Sequence, residues 1–301
     1  MEQSTRNEIK KCPLCNSEEI FSWREIKDYF LSKEKFQVMH CNACSFKFTS
    51  PQPSTEGISK YYKSSDYVSH TDSKRGLTNY IYHWVRKYTI RKKYKQINAL
   101  ANKGKILDVG CATGHLLNYF KKQNWETLGV EVDEEARSFA KTNFDLNVMD
   151  QHAINDIDHT SCNVITMFHV LEHVHDFKER MKSLFEILTD NGVMLVALPN
   201  HLAYDALYYQ EHWAAWDVPR HLYHFNHENI GMLADQCNLT VVRKIPMKFD
   251  AYYVAMLSEK YKTGKINIIH AIRIGLISNR KARKTSNYSS IIYVMKKKLA
   301  I

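Results

Sequence analysis

The run Lys105-Ile106-Leu107-Asp108-Val109-Gly110-Cys111-Ala112-Thr113-Gly114 constrains the fold more than any other feature of this 301-residue chain. Its apolar start predicts a buried strand, its glycines a tight turn, and the following His115-Leu116-Leu117-Asn118-Tyr119-Phe120 a helix. Strand, glycine turn and helix in that order open a nucleotide-binding βαβ unit, in which glycine lets a ligand approach the backbone. A second strand, Thr127-Leu128-Gly129-Val130, ends in Glu131, 21 residues after Gly110. An acid at that place can accept hydrogen bonds from both hydroxyls of a ribose.

The turn is not the Gly-x-Gly-x-x-Gly of dinucleotide sites but Asp108-x-Gly110-x-Ala112-x-Gly114. An anion at Asp108 would repel a pyrophosphate and attract an ammonium. S-adenosylmethionine has no phosphate and carries a sulfonium, so an acidic turn favours it. The charge distribution agrees. Residues 106–242 hold 8 Lys/Arg against 20 Asp/Glu. Residues 74–105 hold ten bases and no acid, and residues 243–301 hold 14 bases and two acids. The net charge of +10 therefore describes neither the acidic centre nor its basic flanks.

Taken together, these residues resemble the class I S-adenosylmethionine-dependent methyltransferases over about 104–246, resuming at 288–298. Leu-Asp-Val-Gly-Cys-Ala-Thr-Gly is similar to their first motif, with Ala112 in place of the usual middle glycine, and Gly-Val-Glu131 to their second-strand acid. The stretch Asn163 to Val174, carrying His169, Glu172 and His173, resembles the fourth strand and its exit. Asp190-Asn191-Gly192 with Val193 to Asn200 resembles the turn and fifth strand. The resemblance implies a Rossmann-like, doubly wound α/β sheet of seven strands with an antiparallel last strand. Residues 240–246 and 289–296 are then strands six and seven. It also implies cofactor contacts from Asp108, Gly110, Ala112, Gly114 and Glu131, from Asp150 and Gln151 beside adenine, and from His169.

Four of the seven cysteines form two pairs, Cys12-x-x-Cys15 and Cys41-x-x-Cys44. Two such knuckles supply the tetrahedral four-sulfur set of a structural zinc site with no open position. About fifty residues bury too little core to fold alone, so metal would supply the missing free energy. The expected organisation is a zinc-ribbon module over 1–50, a linker and basic amphipathic helix over 51–103, and the methyltransferase domain over 104–301. Leu77, Tyr80, Ile81, Trp84, Val85 and Tyr88 start the helical repeat, and Tyr94, Ile97 and Ala101 continue it to Gly104. Cys111, Cys162 and Cys237 read as packed small hydrophobes.

Methyl transfer is an in-line displacement, so the protein must align an acceptor, exclude water and remove a proton where the acceptor is a hydroxyl. Eight of the 15 histidines lie between 169 and 227. His169 and Glu172-His173 end the fourth strand, on the side where such sheets bind ligands; alternatively Glu172 and His173 only fix a loop. His175 reads as solvent-exposed. The cluster Trp213 to Phe225 suggests a substrate wall, with Trp216 and Tyr223 as packing rings and Arg220 meeting an anion. His221 is the first choice for general base, with His224 and His169 behind it. Sugar C-methyltransferases share the ribbon-plus-domain layout but carry Tyr-x-Glu-His near this point. Here the stretch is Val218-Pro219-Arg220-His221, and only the histidine matches.

The expected partner is a small, anionic acceptor such as a sugar or cell-envelope precursor. An RNA methyltransferase or a non-catalytic binding module is the alternative, weakened by the lack of an Asn/Asp-Pro-Pro-Tyr motif. Residues 250–287 read as a helical insertion: a lid, a packed hairpin or a basic contact with an anionic membrane surface. Met1–Lys11 contain no apolar segment of a secretory signal, and no apolar run reaches the ~18 residues of a membrane span, so a cytoplasmic chain is expected.

Overall fold

The computed structural model describes residues 6–62 and 77–298, the side chains of 77–84 excepted. In chain order the first strands are β1 (Arg6–Asn7), β2 (Ile20–Lys27), β3 (Lys35–Cys41), β4 (Lys47–Thr49) and β5 (Gln52–Pro53). They are followed by β6 (Lys105–Val109), β7 (Glu126–Val130), β8 (Asn147–Met149) and β9 (Cys162–Phe168). The last are β10 (Leu188–Pro199), β11 (Tyr223–His224), β12 (Leu239–Pro246) and β13 (Ser290–Lys297).

Seven of these form the main sheet, in the order β12-β13-β10-β9-β6-β7-β8. From β10 through β8 every pairing is parallel, while β13 runs antiparallel between β10 and β12. The expected Rossmann-like sheet with an antiparallel last strand is what the chain adopts. A sheet covered on both faces needs apolar side chains on both, and consecutive residues supply them by pointing to opposite faces. Ile106, Val164 and Leu195 join one core, whereas Leu107, Ile165 and Val196 join the other. Asp190-Asn191-Gly192 bulges out of β10, since the pairing with β9 shifts between Leu188 and Val193.

The helix Leu77–Asn98 ends six residues before the expected Gly104; the chain then turns, with the N–H groups of Leu100 and Ala101 donating to Ile97 O. Tyr94 packs edge-on against Tyr119 and Phe120. The repeat positions Leu77, Tyr80, Ile81 and Trp84 lie outside the described side chains.

The N-terminal module is not self-contained. Its sheet has the order β11-β4-β3-β2, so its fourth strand comes from residues 223–224, deep in the other domain. The stretch from residue 51 was expected to be a linker. Its described part, 51–62, instead packs on the module: β5 pairs with β1, Gln52 is buried, and Tyr61 is 1% exposed. Residues 63–76 of that expected linker lie outside the described residues.

The insertion is a helical hairpin, Asp250–Thr263 and Ile268–Thr285. It is anchored through polar contacts to the 204–214 segment. Ser278 Oγ donates to Asp205 at 2.6 Å, Tyr209 OH to Glu259 at 2.9 Å, and Ala214 N–H to Ser258 Oγ at 2.9 Å. Gly275 lets the two helices approach, since a Cβ there would meet the Tyr252 ring at 2.6 Å. These contacts pack the hairpin on the domain, while Ile268, Ile269, Ile272 and Leu276 on its second helix stay exposed. No helix among the described residues is long and apolar enough to cross a membrane.

Candidate active site and metal centre

β6 carries Asp108 to the carboxyl edge of the sheet, where it is 4% exposed. Thr166 Oγ1 donates to its carboxylate at 2.6 Å. Burial pushes its carboxyl up to about 6, against the pull of Thr166 and Lys93 and helped by the neighbouring Glu131 charge. Lys93 reaches in from the preceding helix, with Nζ 3.8 Å from the centre of the Phe168 ring. Burial lowers its pKa, and Asp108 and Asp250 oppose that shift. The expected basic outer face of this helix therefore turns one lysine inward.

After Asp108 the chain turns sharply. Gly110 has φ +73° and its N–H donates to Val130 O at 2.7 Å; a Cβ there would collide with Val170. Gly114, at φ +75°, opens the helix His115–Lys121. Ala112 occupies the position of the usual middle glycine and also has a positive φ, +46°. A left-handed backbone at a non-glycine residue costs about 1–2 kcal/mol, so the alanine is held under strain. What holds it is Glu131: Ala112 N–H donates to Oε2 at 2.7 Å, while Val132 and Asp133 N–H donate to Oε1 at 2.8 and 3.0 Å. A carboxylate offers about four acceptor sites, and three are taken, leaving one on Oε2. Asp150 caps the turn after β8 and pairs with Arg137 at 3.1 Å, with Gln151 beside it.

The histidines sort into different roles. His169 follows β9 with a strained φ of +58°. Its Nε2 lies 3.2 Å from Asp250 and its Nδ1 3.6 Å from Glu172. Burial alone would lower its pKa, but these two carboxylates outweigh it and raise it to about 9. That pairing favours the protonated ring, which cannot accept a proton and so weighs against His169 as the expected base. His224 lies in β11 beneath Trp216, ring centroids 4.9 Å apart, and burial drives its pKa well down. It is a neutral core histidine, which corrects its expected catalytic role. His221 is 8% exposed; its Nδ1 donates to Ala215 O at 2.8 Å, and its Nε2 faces Glu172 and Asp217 at 4.0 Å each. His175 is half-buried rather than exposed, bonded to Pro53 O at 2.9 Å.

The expected substrate wall is core. Arg220 is 2% exposed, with Nε 3.0 Å from Asp217, Nη1 3.0 Å from Tyr61 O and Nη2 3.1 Å from Asp28. Its donors are spent on this chain, so the role of meeting a substrate anion is withdrawn. Asp217 and Asp28 outweigh burial and hold its pKa above the ordinary value. Trp216 is wedged against Trp213, and its Nε1 donates to Gln210 O at 2.7 Å. Tyr223 stacks on Phe46, and its OH donates to His175 O at 2.7 Å. Both are buried and neither is free to meet a ligand.

The cysteines converge as their spacing implied. The Cys12–Cys44 and Cys15–Cys41 sulfurs are 3.6 Å apart, all four lie within 4.8 Å of one another, and none is in a disulfide. A tetrahedral ion with Zn–S bonds of 2.3 Å implies S–S distances of about 3.8 Å, so the set fits zinc. The two knuckles are alike: Asn16 and Ser45 both turn through positive φ, and their N–H groups donate back to Cys12 O and Cys41 O.

The module reaches the site through residues 220–224. Thr49 N–H and Gln52 Nε2 donate to Leu222 O, Thr49 Oγ1 donates to His221 O, and Leu222 N–H donates to Glu172 O. The strap carrying His221 is thus fixed between module and sheet. Sequence reading missed this link, and also Lys93 and Asp250.

The sequence profile of the family described as "Methyltransferase domain" matches residues 82–244, more than half of the chain. No curated protein matched the chain. Among solved structures, the chain is similar to a SAM-dependent methyltransferase from Archaeoglobus fulgidus. That match has 15% identity and a TM-score of 0.50, and covers 70% of this chain and 94% of that one. It is also similar to a chain in the complex between the Haloferax volcanii Trm112 methyltransferase activator and a methyltransferase. There the identity is 14% and the TM-score 0.50, with 69% of this chain and 89% of that one covered. At these identities the likeness is one of fold.

Proposed function

The chain belongs to the methyltransferase-domain family, whose methyl donor is S-adenosylmethionine, and on that premise we propose that it methylates a small-molecule hydroxyl acceptor. The proposed acceptor class is a sugar or cell-envelope precursor. The observation that carries the choice of cofactor is Asp108. It is a buried carboxyl at the carboxyl edge of the sheet whose pKa burial pushes up to about 6 despite Lys93, so the ammonium of a methionine moiety would stabilise its anion.

When bound, the cofactor supplies an electrophilic methyl on a sulfonium. Asp108 would accept from the ammonium, and the remaining lone pair of Glu131 from a ribose hydroxyl. Asp150 and Gln151 would lie beside the adenine. Lys93, already drawn toward Asp108, is placed to balance the methionine carboxylate. On the acceptor side, His221 is the candidate base, because its Nδ1 hydrogen bond to a carbonyl leaves Nε2 as an acceptor. Cys12, Cys15, Cys41 and Cys44 are proposed to hold a structural zinc that fixes the strap carrying His221.

The small-molecule reading is favoured over RNA by the ribbon's role. Its sheet is completed by β11 and its knuckles pack on the domain, with Asn229 Nδ2 donating to Cys44 O and Gln236 Nε2 to Leu14 O. That face is occupied within the chain rather than offered to a polynucleotide.

Titration calorimetry with S-adenosylmethionine tests the cofactor assignment. Asp108→Asn and Glu131→Ala are each expected to weaken binding roughly 10- to 100-fold, the worth of a hydrogen bond to a charged group. Stability should move the other way in Asp108→Asn. A folded pKa near 6 against 3.8 means that the fold favours the protonated acid. The ionised group then costs about 3 kcal/mol above pH 6, a cost that fades as pH falls through 6 toward 4. The variant should melt higher than wild type at pH 8, with the gap closing by pH 4, and wild-type affinity should fall below pH 6. Unchanged affinity in both variants would remove Asp108 and Glu131 from the cofactor site.

A further inference from the structure

Glu172 is 1% exposed, and among the described residues neither carboxylate oxygen has a hydrogen-bond partner. His169 Nδ1 lies 3.6 Å from Oε1, beyond hydrogen-bonding range. Against burial, the His169 ring beside it and the imidazoles of His221 and His173 favour its charged form, but its lone pairs are left without donors, which is costly in a buried carboxylate. Its backbone is well held, since Glu172 O accepts from Leu222 N–H at 2.8 Å, so the side chain is not idle through local disorder.

Two imidazoles face it. His221 Nδ1 lies 2.8 Å from Ala215 O, and His173 Nδ1 lies 2.9 Å from Arg220 O. A carbonyl oxygen only accepts, so each Nδ1 is the donor, and in the neutral ring Nε2 is the nitrogen left to bind an ion. This second hydrogen bond from Nδ1 to a carbonyl is the arrangement that orients metal-binding histidines. The Tyr62 hydroxyl, 2.9 Å from His173 Nδ1, is a further partner on the same protonated side. The rings of His173 and His221 meet edge to face with centroids 4.6 Å apart, and His221 Nε2 lies 4.0 Å from Glu172 Oε1. One ligand atom from each of Glu172, His173 and His221 falls within 4.8 Å of the other two. Bonds of about 2.0–2.2 Å to one central ion would bring such atoms roughly 3–4 Å apart, a small closure from the distances seen.

We propose that Glu172, His173 and His221 form a binding site for a divalent transition-metal ion, separate from the four-cysteine site. Two imidazoles and one carboxylate suit a borderline divalent ion that retains open positions. His173 is half-buried and is the most open of the three residues. The use of those open positions rests on the methyltransferase reading: they would take acceptor oxygens, and with the His221 lone pair engaged, the ion would replace that imidazole as the group that acidifies the hydroxyl.

Mn²⁺ is the suitable probe, because thiolates bind it poorly. Full-length protein, dialysed against a mild chelator and retaining its cysteine-bound metal, is titrated with Mn²⁺ alone while the free-ion paramagnetic resonance signal is followed. The expected result is one Mn²⁺ per chain with pulsed-resonance nitrogen couplings from imidazole, and at least about 10- to 100-fold weaker binding in Glu172→Gln and in His221→Gln. No binding by the wild type, binding without nitrogen coupling, or unchanged binding in both variants would overturn the proposal. Should the variants not fold, the wild-type nitrogen coupling decides alone. S-adenosylmethionine binding measured on the same samples separates the two readings. Mn²⁺ bound without cofactor affinity would remove the methyltransferase assignment and leave the metal site standing.

Discussion

Replacing Arg220 by methionine is expected to destabilise the protein by about 3–5 kcal/mol, the cost of breaking a buried ion pair by removing one partner. The loss follows from what the guanidinium joins. Asp28 lies in the N-terminal module with its side chain fully buried, and Asp217 lies in the strap before His221. Tyr61 O takes a third donor, and the Phe30 ring covers the guanidinium at 4.6 Å. Methionine fills much of the volume but leaves two carboxylates facing each other. Thermal melting should drop by roughly 6–20 °C. Arg220→Lys keeps the charge but not the fork, and should recover only part of the loss. An Arg220→Met protein with unchanged melting and a raised KM for an anionic substrate would restore the discarded role of this residue.

The second large effect concerns the cysteines. After dialysis against a mild chelator, one zinc per chain is expected by elemental analysis, unaffected by Glu172→Gln and lost with Cys44→Ser. Structural zinc contributes on the order of 10 kcal/mol to small metal-dependent folds. Here the metal-binding residues are not peripheral. Cys12 and Cys41 belong to the same apolar cluster as Leu107, Phe177 and Tyr223. Stripping the ion with a thiol-directed chelator should therefore lower the melting temperature of the whole chain by more than about 20 °C. A module that melts separately, with the domain unchanged, would contradict the shared core. So would full stability after the ion is removed.

The elements legible in the sequence were those whose cause is local. A strand facing two apolar layers reads as a continuous apolar run, and β6, β9 and β10 do so. Positive-φ turns draw glycine, which marks Gly110 and Gly114. Two-residue spacing suffices to pair thiolates, so the cysteines converge as their order implies. The residues from 213 to 225 failed for the opposite reason. Their partners, Asp28, Phe46, Thr49 and Tyr61, lie more than 150 positions earlier. In one dimension an arginine that binds a substrate anion and one that binds two of its own aspartates look the same. β11 has two residues and no periodicity to detect; its strand character comes wholly from β4. Lys93 was hidden in the same way, as one base among ten in a segment without acids. Only the packing of its helix turns it toward Asp108. The Glu172–His173–His221 grouping likewise depends on the module pressing residues 220–224 onto the exit of β9.

Transfer of label from methyl-tritiated S-adenosylmethionine into a cell extract tests the central claim most directly, with the products divided into small-molecule, RNA and protein pools. The account predicts label in the small-molecule pool with wild-type protein and a loss of at least roughly tenfold with Asp108→Asn. Label confined to RNA, or no transfer by a protein that binds the cofactor, would contradict it.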